Sequence, residues 1–391
     1  MGAGAALLGG VFGQPIFFLL FASFAFVLGC SIGSFLNVCI YRMPLDLSVN
    51  EPKRSFCPHC KYQIPWTSNL PLVTWIVQGG KCRNCKAPIA VRYLLVELLT
   101  GVLFLATWLR VSGAGESVGQ WSVFLPLAVF VSLLIVATFI DFEHFIIPDE
   151  ITWGGAAAGI VFSLALPQMQ GETPGSVQGH LLGGAWALAG AALGFALLWL
   201  VSVLGKMAFG KKTLRFTPAR AFTWALEGER AKLRMGEDED WWDELFSSEK
   251  DVLVMDCERL EVEGVVKENY TLRTRYERLE VDGVEHDLNV VKSFRGVARS
   301  VTFQRDAMGF GDVKFIACIG AFLGWKAVLF TVMSASVIGA LVGGIPMLIG
   351  KREWSAKIPF GPYLSLGALL WMFRGPELVA WYWSLSAPVG P

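Results

Sequence analysis

Residues 15–41, 93–110, 121–140, 151–167, 181–205, 325–350 and 360–383 are apolar runs that equal or approach the ~20 residues a helix needs to cross a hydrocarbon core. A shorter apolar piece, 313–323, follows "GFGD". Lipid offers no water to backbone N–H and C=O groups, so such runs must bond internally as helices. The pattern predicts a polytopic α-helical membrane protein with about eight transmembrane helices. Composition agrees, with 54% hydrophobic and only 17% charged residues. The formal net charge of zero says nothing about a nucleic-acid partner, so the placement of charges carries the information; no nucleic-acid partner is expected.

That placement sets an orientation. Segment 42–92 carries eight basic residues (Arg42, Lys53, Arg54, Lys61, Lys81, Arg83, Lys86, Arg92) against two acids, which assigns it to the cytoplasm. Connections 111–120 and 168–180 carry no Lys or Arg and fall outside. Threading from an external N-terminus then puts 141–150, 206–312 and the Lys351-Arg352 turn inside. The first span has no basic segment before it, so no cleavable signal peptide is expected.

One region has a soluble composition. Residues 206–300 hold 17 Lys/Arg and 20 Asp/Glu, more than half of the chain's charged side chains. Within it, "ERLEVEG" (258–264) recurs as "ERLEVDG" (277–283), alternating apolar and charged residues and ending in an acid-Gly turn signal. This predicts a small β-rich cytoplasmic insert, a solvated spacer, with the acidic stretch "GEDEDWWDE" before it partly disordered. The chain thus divides into a first span (1–41), a four-cysteine loop (42–92), spans carrying the first boundary aspartate (93–205), the insert (206–300) and a last membrane portion (301–391).

Cys57 and Cys60 form one C-x2-C pair, and Cys82 and Cys85 another, 21 residues on. Each pair suits one side of a tetrahedron, giving a closed four-thiolate structural Zn2+ site on two knuckles. Two disulfides are the alternative, disfavoured by a cytoplasmic location. His59, inside the first knuckle, is read as a bystander. Cys30, Cys39 and Cys318 lie in apolar spans and read as buried small residues; Cys257 is uninformative.

The stretch "FIDFEHFIIPDE" (139–150) places carboxylates at the end of a span. Asp141 directly follows the apolar run 121–140, and a carboxylate at such depth costs about 2.5–3.5 kcal/mol on insertion scales, which marks a functional residue. Asp149, after Pro148, is placed to cap the next helix, while Glu143 and His144 face the headgroups. "AMGFGDVKF" places Asp312 between the Gly309-x-Gly311 turn and an apolar helix at the same boundary. Two such aspartates make a pair that shares one proton, because adjacent like charges resist double ionisation.

Several motifs together resemble the type 4 prepilin peptidases, integral-membrane aspartic proteases that share G-x-G-D with presenilin-like enzymes. They are "GSFLNVCIYRMP" (33–44), "CPHC…CRNC" with "IPWTSNLPLVTW" between (57–85), "RY" followed by Glu97, D-x6-P-D (141–149), and "GFGDVK" with "GAFLGW" (309–325). The resemblance implies that Asp141 and Asp312 form the catalytic dyad. It adds Pro148, Asp149, Gly309, Gly311 and Lys314 as motif residues, and Cys57, Cys60, Cys82 and Cys85 as the metal ligands. It implies a bacterial inner-membrane enzyme whose substrates are prepilins or pseudopilins of a type IV pilus or a type II secretion system. Many members of that family also methylate the new N-terminus with S-adenosylmethionine, an activity assigned to the portion with the cysteine loop. No Gly-rich nucleotide motif occurs in 42–92, so S-adenosylmethionine rests on the resemblance alone. A carrier using boundary carboxylates and an inactive zinc-bearing scaffold are the other classes. Paired broken helices around a midplane site would mark the first, whereas these acids lie at one face.

Overall fold

The computed structural model describes residues 15–52, 56–57, 59–65, 70–112, 118–227, 230–236, 238–246, 251–262, 264–281, 283–288, 290–291, 293–304, 308–348 and 359–386. The Lys351-Arg352 turn lies outside them. Long helices are α1 (Pro15–Arg42), α2 (Val91–Ser112), α3 (Phe124–His144), α4 (Asp149–Ala165), α5 (Val177–Phe209), α6 (Phe310–Leu348) and α7 (Gly361–Ser386). Among the described residues, five stretches are long and apolar enough to cross a membrane, where the sequence predicts about eight: Phe18–Leu45, Val91–Ser112, Trp121–His144, Val177–Ala208 and Phe310–Gly343. The chain forms two compact units, 1–198 with 310–391, and 199–309.

In the helical unit, large apolar side chains such as Leu19, Leu20, Phe24, Val27, Val161 and Leu188 point outward. Between helices, large buried side chains such as Phe130 and Phe322, stacked across α3 and α6, pack beside glycines that let backbones approach closely, as expected where lipid is as apolar as the side chains and association depends on close packing. A Cβ on Gly101 of α2 would lie 2.5 Å from the Cys30 sulfur of α1. One on Gly190 of α5 would lie 2.4 Å from the Gly320 carbonyl of α6. Cys30, Cys39 and Cys318 are buried, as read from the sequence.

The expected spans 313–323 and 325–350 form one element, α6, broken at Gly324 (φ 79°, ψ 177°). The carbonyls near that break are bonded from outside the helix. Gln170, in the turn after α4, donates through Nε2 to the carbonyls of Ala321 (3.2 Å) and Phe322 (3.3 Å), and Ser163 of α4 donates to Ala321 (3.3 Å). A half-buried side-chain amide and a buried hydroxyl thereby satisfy groups that lipid would leave unpaired.

The other unit holds an antiparallel sheet ordered β3-β2-β1-β8-β4-β5-β6-β7. Its strands are β1 (Lys211–Glu227), β2 (Arg230–Met235), β3 (Asp238–Trp241), β4 (Leu253–Val262), β5 (Val265–Thr274), β6 (Arg278–Val281), β7 (Val284–Asp287) and β8 (Ser293–Gln304). The repeat forms equivalent corners. Val262 pairs with Val265 and Val281 with Val284, and Gly264 (φ 84°) and Gly283 (φ 78°) supply at these corners the positive φ that tight hairpins need. In β4 the buried face shifts phase where Cys257 pairs with Ala298 but Arg259 with Val297. Glu258 is the extra residue of a bulge, and Cys257 and Leu260 both point inward.

Two sequence expectations change here. The acidic stretch is ordered at β3 and a following 3-10 turn (Trp242–Leu245), because Trp242 is 3% exposed within the sheet core and donates its indole N–H to the Tyr276 carbonyl at 2.9 Å. Val301, assigned from sequence to the last membrane portion, is a strand residue paired with Leu214 and Met255. Trp224 centres the core, stacked on Phe294 with ring centroids 5.0 Å apart. A fragment spanning 206–309 is expected to melt cooperatively as a β protein, and Trp224→Ala to cost it about 3–5 kcal/mol, read by denaturant unfolding followed by circular dichroism.

Candidate active site and metal centre

Asp141 sits in the last turn of α3, 5% exposed. The helix stops three residues later because Phe145 turns left-handed (φ 56°), its N–H returning to the Asp141 carbonyl at 3.0 Å. Ile146 and Ile147 then lead to Pro148, the N-cap of α4, whose carbonyl accepts the N–H groups of Ile151 and Thr152. The Asp141 side chain reaches a different element. Its Oδ2 accepts the backbone N–H of Gly361, the first residue of α7, at 2.8 Å. An N–H of the first helical turn has no partner within its own helix, and the helix dipole favours an acceptor there. A Cβ at Gly361 would stand 2.8 Å from Asp141 Oδ2 and 3.0 Å from Ile147 Cδ1, so only glycine admits this approach.

Asp312 lies in the first turn of α6, 9% exposed, and its Oδ1 is buried with no hydrogen-bond partner among the described residues. Gly311 brings it in. A Cβ there would lie 3.3 Å from the Ile147 backbone nitrogen, so the start of α6 rests directly on the link after Asp141. Ile147 is thus touched from both sides, by Gly311 and by Gly361. The end of α3 that carries Asp141 and the start of α6 that carries Asp312 therefore meet at this link. Gly309 is exposed just ahead of the helix.

Asp149 is not the cap that its position after Pro148 suggests. It makes no capping bond, and Pro148 itself occupies the N-cap position. The Asp149 carboxylate instead accepts the Lys314 ammonium at 2.5 Å, joining the first turns of α4 and α6. Lys314 points this way because it lies two residues past Asp312, on the other side of the first turn. Glu143 pairs with Arg92 of α2, itself close to the cysteine loop in sequence. Sequence reasoning missed Gly361; its only signal was "FGPY" at the head of the last apolar run.

The cysteine loop consists of two matching knuckles. In the first, Cys57 N–H bonds to the Tyr62 carbonyl and Lys61 N–H returns to Cys57; in the second, Cys82 N–H bonds to Ala87 and Lys86 N–H returns to Cys82. Lys61 (φ 56°) and Lys86 (φ 61°) take the same left-handed turn. The four sulfurs lie within 4.8 Å of one another, and those of Cys57 and Cys85 are 3.8 Å apart. That is too long for a disulfide, and all four cysteines are free. It does match a tetrahedral centre, whose metal–sulfur bonds of about 2.3 Å hold the sulfurs about 3.8 Å apart. The Cys60 thiol is pushed down to about 6, chiefly by the Tyr62 backbone N–H and next by the Asn84 amide, while at Cys85 the Ala87 backbone N–H is outweighed by desolvation and the neighbouring thiols, which push the thiol up to about 11, so the four sulfurs do not all ionise without a cation among them. The donor set therefore fits a four-thiolate ion.

Comparison with known proteins places this geometry in a family. The family model described as Bacterial Peptidase A24 N-terminal domain matches residues 27–111, and that of the Type IV leader peptidase family matches 128–214 and 289–344. The interval between those two pieces falls within the β-sheet unit. Among similar proteins, a "Prepilin leader peptidase/N-methyltransferase" of Myxococcus xanthus is 30% identical over 95% of this chain and 77% of its own. Proteins of the same name from Aeromonas hydrophila and Stutzerimonas stutzeri are 25% and 26% identical, each over 93% of this chain and 94% of their own. No solved structure matches the chain. With similarity running through both the cysteine-bearing and the aspartate-bearing portions, the chain belongs to the type IV leader peptidase family.

Proposed function

We propose that the protein is an aspartic endopeptidase of the bacterial cytoplasmic membrane that cleaves the leader from type IV prepilins or pseudopilins and then methylates the new N-terminus. The observation that carries the peptidase reading is that Gly311, next to Asp312, and Gly361, bonded to Asp141, both pack on Ile147, with an unpartnered Asp312 oxygen left to bind a reactant. A water between the carboxylates gives a proton to the ionised one and attacks the scissile carbonyl carbon. The protonated partner donates to the carbonyl oxygen; as the C–N bond breaks, a proton returns to the leaving amine. The pair titrates as a unit, so neither residue is assigned the proton. Gly361 keeps Asp141 in one rotamer throughout.

The basic segment 42–92 supports a cytoplasmic site under an eight-span topology. A basic leader would remain inside while the apolar helix of the substrate enters the bilayer. The four-cysteine centre is assigned Zn2+, which closed thiolate sites favour, in a structural role, since four sulfurs leave no open position. S-adenosylmethionine would supply the methyl group as an electrophile. The sequence divisions at 42–92 and 206–300 are retained as a functional proposal, the first for metal binding and methylation, the second as an add-on to the catalytic core.

Purified protein in lipid should cleave a prepilin at its leader, read by mass spectrometry. Asp141→Asn and Asp312→Asn should each lower the rate by about 10²–10⁴-fold or more while remaining inserted. Full activity in either would defeat the dyad. Asp149→Asn should retain most activity, because a pair this exposed contributes only about 0–1 kcal/mol. Cleavage rules out the inactive scaffold, whereas ion or solute flux without cleavage would favour the carrier.

Gly361→Ala should impair cleavage with insertion unchanged, since the added methyl displaces the Asp141 carboxylate. The check is turnover against KM, with the loss in turnover. Elemental analysis should find about one zinc per chain, and Cys57→Ser or Cys82→Ser should lower it. Zinc-free protein whose thiols resist alkylation until reduced would revive the disulfide alternative.

A further inference from the structure

Helices α2 and α3 lie antiparallel, and their two ends are joined by different means. At one end Phe104 and Trp108 of α2 pack edge-on against Phe124 of α3, with ring centroids 6.2 and 5.7 Å apart. At the other, where α3 ends beside Asp141, a cavity of ≈ 610 Å³ opens between the helices, lined also by Asn37 and Glu97. Packing gives way there to an ion pair. Arg92, in the first turn of α2, holds the carboxylate of Glu143, in the last turn of α3.

The setting of this pair is poor for stability. A helix start carries partial positive charge and a helix end partial negative charge, so Arg92 and Glu143 each stand at the end that disfavours them. The Glu143 side chain is 40% exposed, in the range where ion pairs contribute little. With the guanidinium turned toward Glu143, its Nε is buried with no partner among the described residues, and a buried donor left unsatisfied is costly.

What the pair does supply is geometry. Successive helix residues are about 100° apart around the axis, so Asp141 and Glu143 point to opposite sides of α3. On one side α7 holds the helix, through the Gly361 N–H to Asp141 Oδ2 at 2.8 Å and the Ser365 hydroxyl to the Leu134 carbonyl at 3.3 Å. On the other, Arg92 holds Glu143. The start of α2 is itself anchored. Asn37 of α1 donates to the Tyr93 carbonyl at 3.0 Å. Ile89 bonds Gly80 through its N–H at 2.7 Å and the Trp75 indole through its carbonyl at 3.3 Å, which fastens α2 to the segment leading into the second knuckle. The other charged groups of the cavity wall are engaged elsewhere. Arg42 donates to the carbonyls of Ser48, Val49 and Pro52, Glu97 accepts the Leu72 N–H at 2.7 Å, and Arg83 has an interaction of its own.

We propose that Arg92 and Glu143 are positioning residues for peptide cleavage: their ion pair spans the cavity and fixes the rotation of the last turn of α3, and with it the placement of the Asp141 carboxylate. This rests on the aspartic endopeptidase reading given above. Both residues act through Asp141, and neither enters the proton transfers. A displaced carboxylate leaves substrate binding intact but slows the reaction, so the pair belongs to turnover and not to KM.

The test is a mutant cycle on the full-length protein in lipid nanodiscs, cleaving a prepilin, with turnover and KM measured separately and metal content and melting temperature recorded for each variant. Arg92→Gln and Glu143→Gln should each lower turnover about 10–100-fold and leave KM within about twofold of wild type. The double variant should be no slower than either single one, because both remove the same tie. Exchanging the charges, Arg92→Glu with Glu143→Arg, rebuilds the pair with each charge at the helix end that favours it. That exchange should restore most of the turnover without loss of melting temperature. Wild-type turnover in the single variants, whatever becomes of methylation, overturns the assignment. So do losses that multiply in the double variant, or an exchanged pair that inserts and keeps its metal yet cleaves no faster than the single variants. Should a Gln variant fail to insert, the exchanged pair alone decides. If the unaltered protein cleaves no prepilin, the peptidase reading falls and this inference with it; if it cleaves and the exchange fails, only the inference falls.

Discussion

The hydrogen bond from the Gly361 N–H to Asp141 Oδ2 ties the last helix to the third, and the arrangement of the membrane unit around the site depends on it. A buried carboxylate in an apolar setting needs a donor. The first turn of a helix needs acceptors for N–H groups that cannot bond within it. Each deficiency answers the other, and the contact is short enough to require that residue 361 lack a side chain. Asp312 is treated differently. It stands at a helix start of its own, but one of its oxygens has no protein partner among the described residues. One carboxylate is therefore held and the other left with a free acceptor, an asymmetry that suits a pair dividing two acid–base roles.

The same economy of contacts recurs around the site. Gly311 and Gly361 press on Ile147, and Lys314 reaches Asp149, so the link between α3 and α4 is gripped at three points. Further into the membrane unit, Gln170 and Ser163 satisfy the carbonyls near the break at Gly324. Polar groups in lipid are tolerated where another part of the protein completes their bonding. The proline-and-glycine punctuation of this sequence marks the places where that happens.

The cysteine loop and the sheet unit are stabilised by local rules instead. Each knuckle closes with its own pair of backbone hydrogen bonds and one left-handed lysine. Each hairpin of the repeat closes with one glycine. Such features depend on residues a few positions apart, which is why both were legible from spacing. The ordering of the acidic stretch was not, because Trp242 is buried by Trp224, Phe294 and Phe246, the first two distant in sequence.

By itself the sequence determined that this chain crosses a membrane as helices, since no other structure satisfies backbone groups over such apolar lengths. It also determined that four cysteines pair into two knuckles, and that Asp141 and Asp312 stand at helix boundaries where a carboxylate is costly. Only the tertiary structure decided what those residues touch. Gly361 is 220 residues from its partner Asp141, and Asp149 left its capping position for Lys314, 165 residues away. Asn37 and Glu97 became walls of one cavity only because α1 and α2 approach within van der Waals contact at their glycines. Periodicity and spacing report on a neighbourhood of a few residues along the chain; hydrogen-bond completion in a packed bundle draws on whichever segment folding brings alongside.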